Sequence, residues 1–168
     1  MGVSGSGKTT VGHLLASQLG WQFTDADDYH SAANIEKMRN GIPLTDADRQ
    51  PWLKTLHDQI ATWLAGGKSA ILACSALKQS YRDRLRVSSE VKVVYLKGAL
   101  QLLRERLRAR VGHYMSESML TSQLATLEEP GADAADKALV INIDTGIDMA
   151  ASPAEITSAI RRGLGLRS

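Results

Sequence analysis

Gly2-Val3-Ser4-Gly5-Ser6-Gly7-Lys8-Thr9 has the spacing G-x-x-x-x-G-K-[ST]. Each position in it has a physical task. The glycines let the backbone fold tightly with its N–H groups pointing inward, where they can hold phosphate oxygens. A helix that starts at the end of the loop adds the positive end of its dipole. The Lys8 ammonium reaches β- and γ-phosphates, and the Thr9 hydroxyl is placed to ligate Mg²⁺. The candidate phosphate ligands are Gly2, Val3, Ser4, Gly5, Ser6, Gly7, Lys8, Thr9 and Thr10. A glycine-rich turn without function would look similar. In a chain of 168 residues, however, a chance match is on the order of 1%, so the stretch reads as a phosphate loop.

Outward from the loop, helical and strand patterns alternate, which points to an α/β fold with a mainly parallel sheet flanked by helices. Thr9 to Leu19 reads as a helix stopped by Gly20. Trp21 to Thr24, Ala70 to Cys74, Val91 to Leu96 and Leu139 to Ile143 read as strands. Helices are expected over Asn34 to Arg39, from Thr45 or Asp46 to about Leu64, and over Gln79 to Arg86. Three more are expected over Leu100 to Arg110, Glu117 to Leu127 and Ala154 to Arg162, the last with Pro153 at its start. No repeat, low-complexity tract or linker interrupts residues 1–168, so one domain is expected, with a small lid near 111–117. A phosphate loop ordinarily follows a central strand, and here only Met1 precedes Gly2. Without that strand, its two neighbours lose a shared hydrogen-bonding partner. The expectation is that apolar residues upstream of Met1 belong to the natural protein, or that the start codon was chosen wrongly.

After the first strand comes Thr24-Asp25-Ala26-Asp27-Asp28-Tyr29-His30. Ligands of such sheets bind beyond the carboxyl ends of the strands. Asp25 is expected to face Mg²⁺ and Asp27 the acceptor hydroxyl, on the reading that an extended backbone sends the two to opposite faces. A carboxylate beside that hydroxyl orients it and accepts its proton. The residue after Ala70 to Cys74 is Ser75, where many nucleotide-hydrolysing relatives of this fold place a metal-binding Asp. In the helix Leu100 to Arg110, Leu103, Arg106, Leu107 and Arg110 share one stripe. Arg106 and Arg110 therefore flank the interior and become candidates for clamping phosphate oxygens, whereas Arg104 and Arg108 read as solvated. Val111-Gly112-His113-Tyr114 reads as a short lid. His30 and His113 are either polar contacts in ligand loops or plain loop residues.

The net charge of +2 gives no reason to expect nucleic acid or a membrane as partner. Cys74 is the single cysteine and sits in an apolar run, so it reads as a buried strand residue, and the compartment expected is the cytoplasm. With one Phe, the core is expected to rest on Leu, Ile, Val, Ala and Met.

Taken together these segments resemble the gluconokinase family. The resemblance is carried by the phosphate loop, by Asp25-Ala-Asp27 with His30, and by Gly41-Ile-Pro-Leu-Thr-Asp46. Asp48-Arg49-Gln-Pro-Trp52 and Cys74-Ser-Ala-Leu-Lys78 are its most particular parts, and Tyr81-Arg82-Asp83, Arg110-Val-Gly-His113 and Leu127-Glu-Glu-Pro130 extend it. The resemblance implies a three-layer kinase fold close to shikimate kinase, ATP with Mg²⁺, and phosphorylation of D-gluconate at its terminal hydroxyl by a homodimer. It implies that Lys8 and Thr9 serve ATP and Mg²⁺ and that Asp27 contacts the acceptor; with the residue-level readings above, the catalytic candidates are Lys8, Asp25, Asp27 and Arg110, and the metal candidates Thr9 and Asp25. It implies that His30, Arg49, Arg82 and His113 approach the sugar acid. Gluconate is an anion, and Arg82 and Lys78 are the candidates for its carboxylate. Val111 stands where the family leads one to expect a basic residue. A shikimate-kinase-like activity on another small acid, or a nucleotide-binding regulator without catalysis, remains the alternative.

Overall fold

The computed structural model describes residues 1–109, 117–131, 138–144 and 150–166. In chain order its elements are α1 (Lys8–Leu19), β1 (Gln22–Asp25), a 3-10 turn (Ala26–Tyr29), α2 (Ala32–Arg39), α3 (Asp46–Ala65) and β2 (Ala70–Ala73). There follow α4 (Gln79–Leu85), β3 (Val93–Lys97), α5 (Leu100–Arg108), α6 (Glu117–Thr126), β4 (Ala138–Asn142) and α7 (Pro153–Leu164). The expected helices and strands are all present, displaced by at most two residues at an end. The 3-10 turn was not among them.

Local chemistry explains the ends. α1 stops where Gly20 turns left-handed at φ 67° and its N–H returns to the Ala16 carbonyl. α3 starts in a capping box in which the Thr45 side chain accepts from Asp48 N–H and the Asp48 carboxylate accepts from Thr45 N–H. Ser152 and Glu155 repeat the device at α7, with Pro153 in the first turn.

Among the described residues both strand pairs are parallel, with one isolated antiparallel bridge between Asp144 and Ala150. β1 lies beside β2 with Gln22 opposite Ala70 and Asp25 opposite Ala73. β3 lies beside β4 with Val93 opposite Ala138 and Lys97 opposite Asn142. Met1 and Gly2 run between the two pairs: Gly2 N–H donates to Ser75 O at 3.3 Å, Leu96 N–H donates to Met1 O at 3.0 Å, and the Met1 amine donates to Val94 O. Burial pushes that amine down to about 5. The start of the phosphate loop is therefore gripped by the inner strand of each pair.

A core lies on each face of the strands. One gathers Val3, Val11, Leu15, Leu96, Leu103, Leu120, Ile156 and Ile160, which brings in α1, α5, α6 and α7. The other gathers Trp52, Leu53, Leu56, Ile60, Trp63, Tyr81 and Leu85 from α3 and α4, with Cys74 just past β2. The expectation of a purely aliphatic core is corrected here, because Trp52, Trp63 and Tyr81 supply much of the second core. Cys74 is buried as expected, and burial pushes its thiol up to about 12, so it is inert. Gly12 is where α1 meets β1: a Cβ there would sit 2.5 Å from Phe23 Cε2. The resulting close approach sets the N-terminus of α1 beside the carboxyl end of β1, where the site forms.

Candidate active site

The phosphate loop bends through two left-handed glycines, Gly5 at φ 83° and Gly7 at φ 87°, where any other residue would be strained. Val3 is 3% exposed and anchors the loop in the core, and Ser6 is fully buried. The backbone between them is thereby held from below and turned toward solvent above. Gly7 caps α1 without a side chain, so the first N–H groups of this 12-residue helix are left to an anion. The Lys8 ammonium lies over the loop, donating to Val3 O at 3.2 Å. Arg106 of α5 reaches it from the other side, with Nη1 donating to Gly5 O at 3.4 Å. The stripe reading of α5 is supported at Leu103, which is 1% exposed. Arg110 and His113 fall outside the described residues, as does most of the expected lid.

A cleft of about 840 Å³ opens above the loop and is lined by Ser4 to Val11, Asp25, Asp27, Arg106 and Pro153 among others. The acidic segment enters it in an unexpected geometry. Residues two apart in an extended strand share a face, so an extended backbone would not have separated Asp25 from Asp27. The 3-10 turn does so instead. Asp25 ends β1 and caps the turn, taking Asp27 N–H on Oδ1 at 3.1 Å and the Thr9 hydroxyl on Oδ2 at 2.9 Å. Thr9 and Asp25, expected together at a metal, are thus in direct contact. Among the described residues no cluster of three His, Cys, Asp or Glu could hold a metal by itself. That donor set suits Mg²⁺, which keeps waters and phosphate oxygens around it and takes few protein ligands.

A second, narrower pocket adjoins the first. Ser4, Lys8 and Asp27 line both, and His30, Arg49 and Gln123 line the second alone. His30 stacks on Trp52 with ring centroids 4.5 Å apart and planes 9° from parallel. Trp52 is itself fixed by donating its indole N–H to Ala26 O at 2.7 Å. Burial, helped by the Arg49 charge, pushes His30 down to about 4, so it stands neutral at pH 7. Its Nδ1 is buried without a hydrogen-bond partner among the described residues. Arg49 Nη1 donates to Leu44 O at 2.6 Å, which holds the guanidinium at the pocket wall.

Two expected substrate cations are elsewhere. Lys78 pairs with Asp46 at 2.7 Å, outside the lining of both pockets. Arg82 is 1% exposed, and its Nη1 donates to Ala76 O at 3.2 Å and Leu77 O at 3.1 Å. Ala76 is the one described non-glycine residue with positive φ, 44°. Arg82 therefore braces a strained turn beneath the second pocket, whose wall includes Ser75 and Leu77. A sequence pattern places a cation after a strand without revealing which way its side chain turns.

Helix α6, for which the sequence gives no functional signal, brings Met119, Ser122, Gln123 and Thr126 to the second pocket. Gln123 Oε1 accepts the Ser4 N–H at 2.7 Å, across 119 residues of sequence. No motif signals this: Gln123 follows two other polar residues, Thr121 and Ser122, and nothing in the spacing singles it out.

Comparisons with known proteins identify the family. A family model described as an AAA domain matches residues 1–130. The gluconokinase of Gluconobacter oxydans is 52% identical over 134 residues, covering 79% of this chain and 75% of that protein. The crystal structure of a gluconokinase from Sinorhizobium meliloti superposes with a TM-score of 0.83 at 40% identity, covering 98% of this chain and 89% of that one. Shikimate kinase from Aquifex aeolicus, at 18% identity and a TM-score of 0.57 over 98% and 91% of the two chains, shares the fold. A phosphate loop joined through Lys8 and Asp27 to a second polar pocket, with this degree of identity over most of the chain, assigns it: the chain belongs to the gluconokinase family of kinases.

Proposed function

We propose that the protein transfers the γ-phosphoryl group of ATP, with Mg²⁺, to the terminal hydroxyl of D-gluconate. The observation that carries this is the shared wall of the two pockets: Ser4, Lys8 and Asp27 belong to both, so donor and acceptor meet there. ATP supplies the phosphoryl group, and Mg²⁺ held near Thr9 and Asp25 would offset its charge. Asp27 takes the hydroxyl proton as the acceptor oxygen bonds to phosphorus and the bond to the ADP oxygen breaks. Lys8 and Arg106 neutralise the charge that spreads over the moving group. Arg49 faces the carboxylate end of the acid, and neutral His30 offers a hydrogen bond to its hydroxyls. Lys78 and Arg82 act indirectly, by holding the segment from Ser75 to Lys78. Arg110 and His113 are proposed to close over the phosphates and the acid, respectively.

A homodimer in the cytoplasm completes the proposal, supported by the family resemblance and the lone buried Cys74; no described helix is long and apolar enough to cross a membrane. The test is ADP release coupled to a spectroscopic readout, across gluconate, shikimate, other sugar acids, neutral sugars and nucleoside monophosphates. Turnover confined to gluconate supports the proposal. Tight ATP binding without turnover on any acceptor refutes it and favours a regulator.

A further inference from the structure

Gln123 occupies a position that neither the phosphate loop nor the acidic turn accounts for. Its oxygen accepts the Ser4 backbone N–H at 2.7 Å, and the residue lines the acceptor pocket with Asp27, His30 and Arg49. A backbone N–H is only a donor, so the atom facing it must be the amide oxygen, and this settles which way the amide is turned. The NH₂ group is consequently directed away from Ser4. It carries two donors, and it donates to no other described residue. Gln123 is only half-buried, so water can pair that group, and a polyhydroxy acid offers acceptors throughout its length to take the water's place.

The helix that carries Gln123 is held firmly enough to aim it. Leu120 is 1% exposed in the first core, and Met119 is 5% exposed against Met38 and Leu44. Just past α6, Glu128 N–H donates to Leu77 O at 2.9 Å, and the Glu128 carboxylate accepts Gln79 N–H at 2.6 Å. α6 is thus tied at its C-terminal end to the turn that Arg82 braces, so its side chains are pre-organised.

Resting on the acceptor-pocket reading above, we propose that Gln123 is an acceptor-binding residue: its amide NH₂ donates to a hydroxyl of the sugar acid while its oxygen holds Ser4 of the phosphate loop. One planar group then fixes the distance between the acid and the loop that carries the donor phosphates. It also makes the enzyme selective for an acid with a hydroxyl at that place, because an analogue without it leaves the amide unpaired.

Gln123→Glu and Gln123→Met separate the roles. Glutamate keeps an oxygen for Ser4 but has no NH₂, and it sets a negative charge near the acid. Methionine matches the length and removes both bonds. Both are compared with Arg49→Ala by steady-state kinetics on the full chain, after circular dichroism and melting confirm the fold. The expected result is a rise in gluconate KM of about 10-fold or more in both Gln123 variants, with ATP KM within about 3-fold of the parent in Gln123→Glu. Among monodeoxy gluconates, one should lose about 10-fold in kcat/KM with the parent and no further amount with Gln123→Met. If Gln123→Met fails to fold, Gln123→Glu is used for both readings. The proposal is overturned if gluconate KM stays at the parent value in the Gln123 variants while Arg49→Ala raises it. It is equally overturned if every deoxy penalty persists in the variant used. Unchanged gluconate KM in Arg49→Ala as well would instead bring down the acceptor-pocket assignment on which the proposal stands.

Discussion

Replacing Arg82 distinguishes a brace from a ligand. Its guanidinium is 1% exposed and donates to two carbonyls, Ala76 O and Leu77 O, at 3.2 and 3.1 Å. Arg82→Met keeps much of the volume and removes the charge. Hydrogen bonds from a charged group are worth about 1.5–3 kcal/mol each. Leu77 O retains its bond from Glu128 N–H, so only Ala76 O is left without the partner described for it. Ala76 sits at φ 44°, a conformation costing about 1–2 kcal/mol for a residue with a Cβ, and its strain would then be less opposed. Against these losses stands the relief of no longer burying a cation, which is worth a few kcal/mol. The net expectation is a loss of about 2–4 kcal/mol, seen in a chain of this size as a fall in Tm of roughly 5–15 °C. Gluconate KM should rise modestly, by about 3–10-fold, because Ser75 and Leu77 shift in the pocket wall. ATP KM should hold. The measurements are a thermal melt and a KM series for each substrate. A melt within about 2 °C of the parent, together with a gluconate KM raised about 100-fold or more, would refute the brace and restore Arg82 as the carboxylate ligand.

The other perturbations probe the phosphate side. Lys8→Ala should lower turnover by several orders of magnitude without shifting the melt, and near-normal activity would remove Lys8 from the reaction. Asp27→Asn should lower kcat by about 10²–10⁴-fold with little change in gluconate KM, as expected for a lost proton acceptor; an effect on KM alone would make Asp27 a binding group. Thr9→Val should raise the Mg²⁺ concentration needed for half-maximal rate, while Thr9→Ser stays near the parent; equal metal dependence in both would detach the Thr9–Asp25 pair from the metal. His30 has a folded pKa of about 4 against 6.5 unfolded, so between those values the unfolded chain binds more protons. Stability contributed by neutral His30 is complete above pH 6.5 and is lost as pH falls toward 4. A His30→Asn variant should therefore show a flatter stability profile across that window in denaturant melts, and an unchanged slope would contradict the buried neutral ring.

Much of the architecture was legible because it is written locally. Gly20, Thr45 with Asp48, and Pro153 each end or start a helix through contacts within four residues, which a linear reading can see. The parallel strands were legible as apolar runs. The 3-10 turn was not, since Ala26 to Tyr29 has no periodicity of its own and is set by Asp25 capping the turn and by Trp52 reaching Ala26 O from α3. The composition argument failed for the core in the same way: one Phe says nothing about where Trp52 and Trp63 will go.

The two halves of the site divide along that same line. The nucleotide half is centred on one continuous stretch, Ser4 to Val11, whose spacing encodes the loop geometry directly. Asp25 and Arg106 join it from predictable places, a strand end and a helix stripe. The acceptor half has no such stretch. Its wall takes Asp27 and His30 from the turn after β1, Arg49 and Trp52 from α3, Ser75 and Leu77 from the turn after β2, and Gln123 from α6. Trp52 and Gln123 are fixed by contacts distant in sequence, with Ala26 O and Ser4 N–H, and no spacing motif orients the others, so residue type alone could name a cation but not orient it. Arg49 and Arg82 show the consequence: one guanidinium is held at the wall by Leu44 O, while the other is turned under it by Ala76 O and Leu77 O. On the proposed reading, acceptor specificity in this protein depends on how α3, α6 and the turn after β2 dock around the loop. Substitutions that change the acid accepted should therefore fall at those docking contacts and leave the loop untouched.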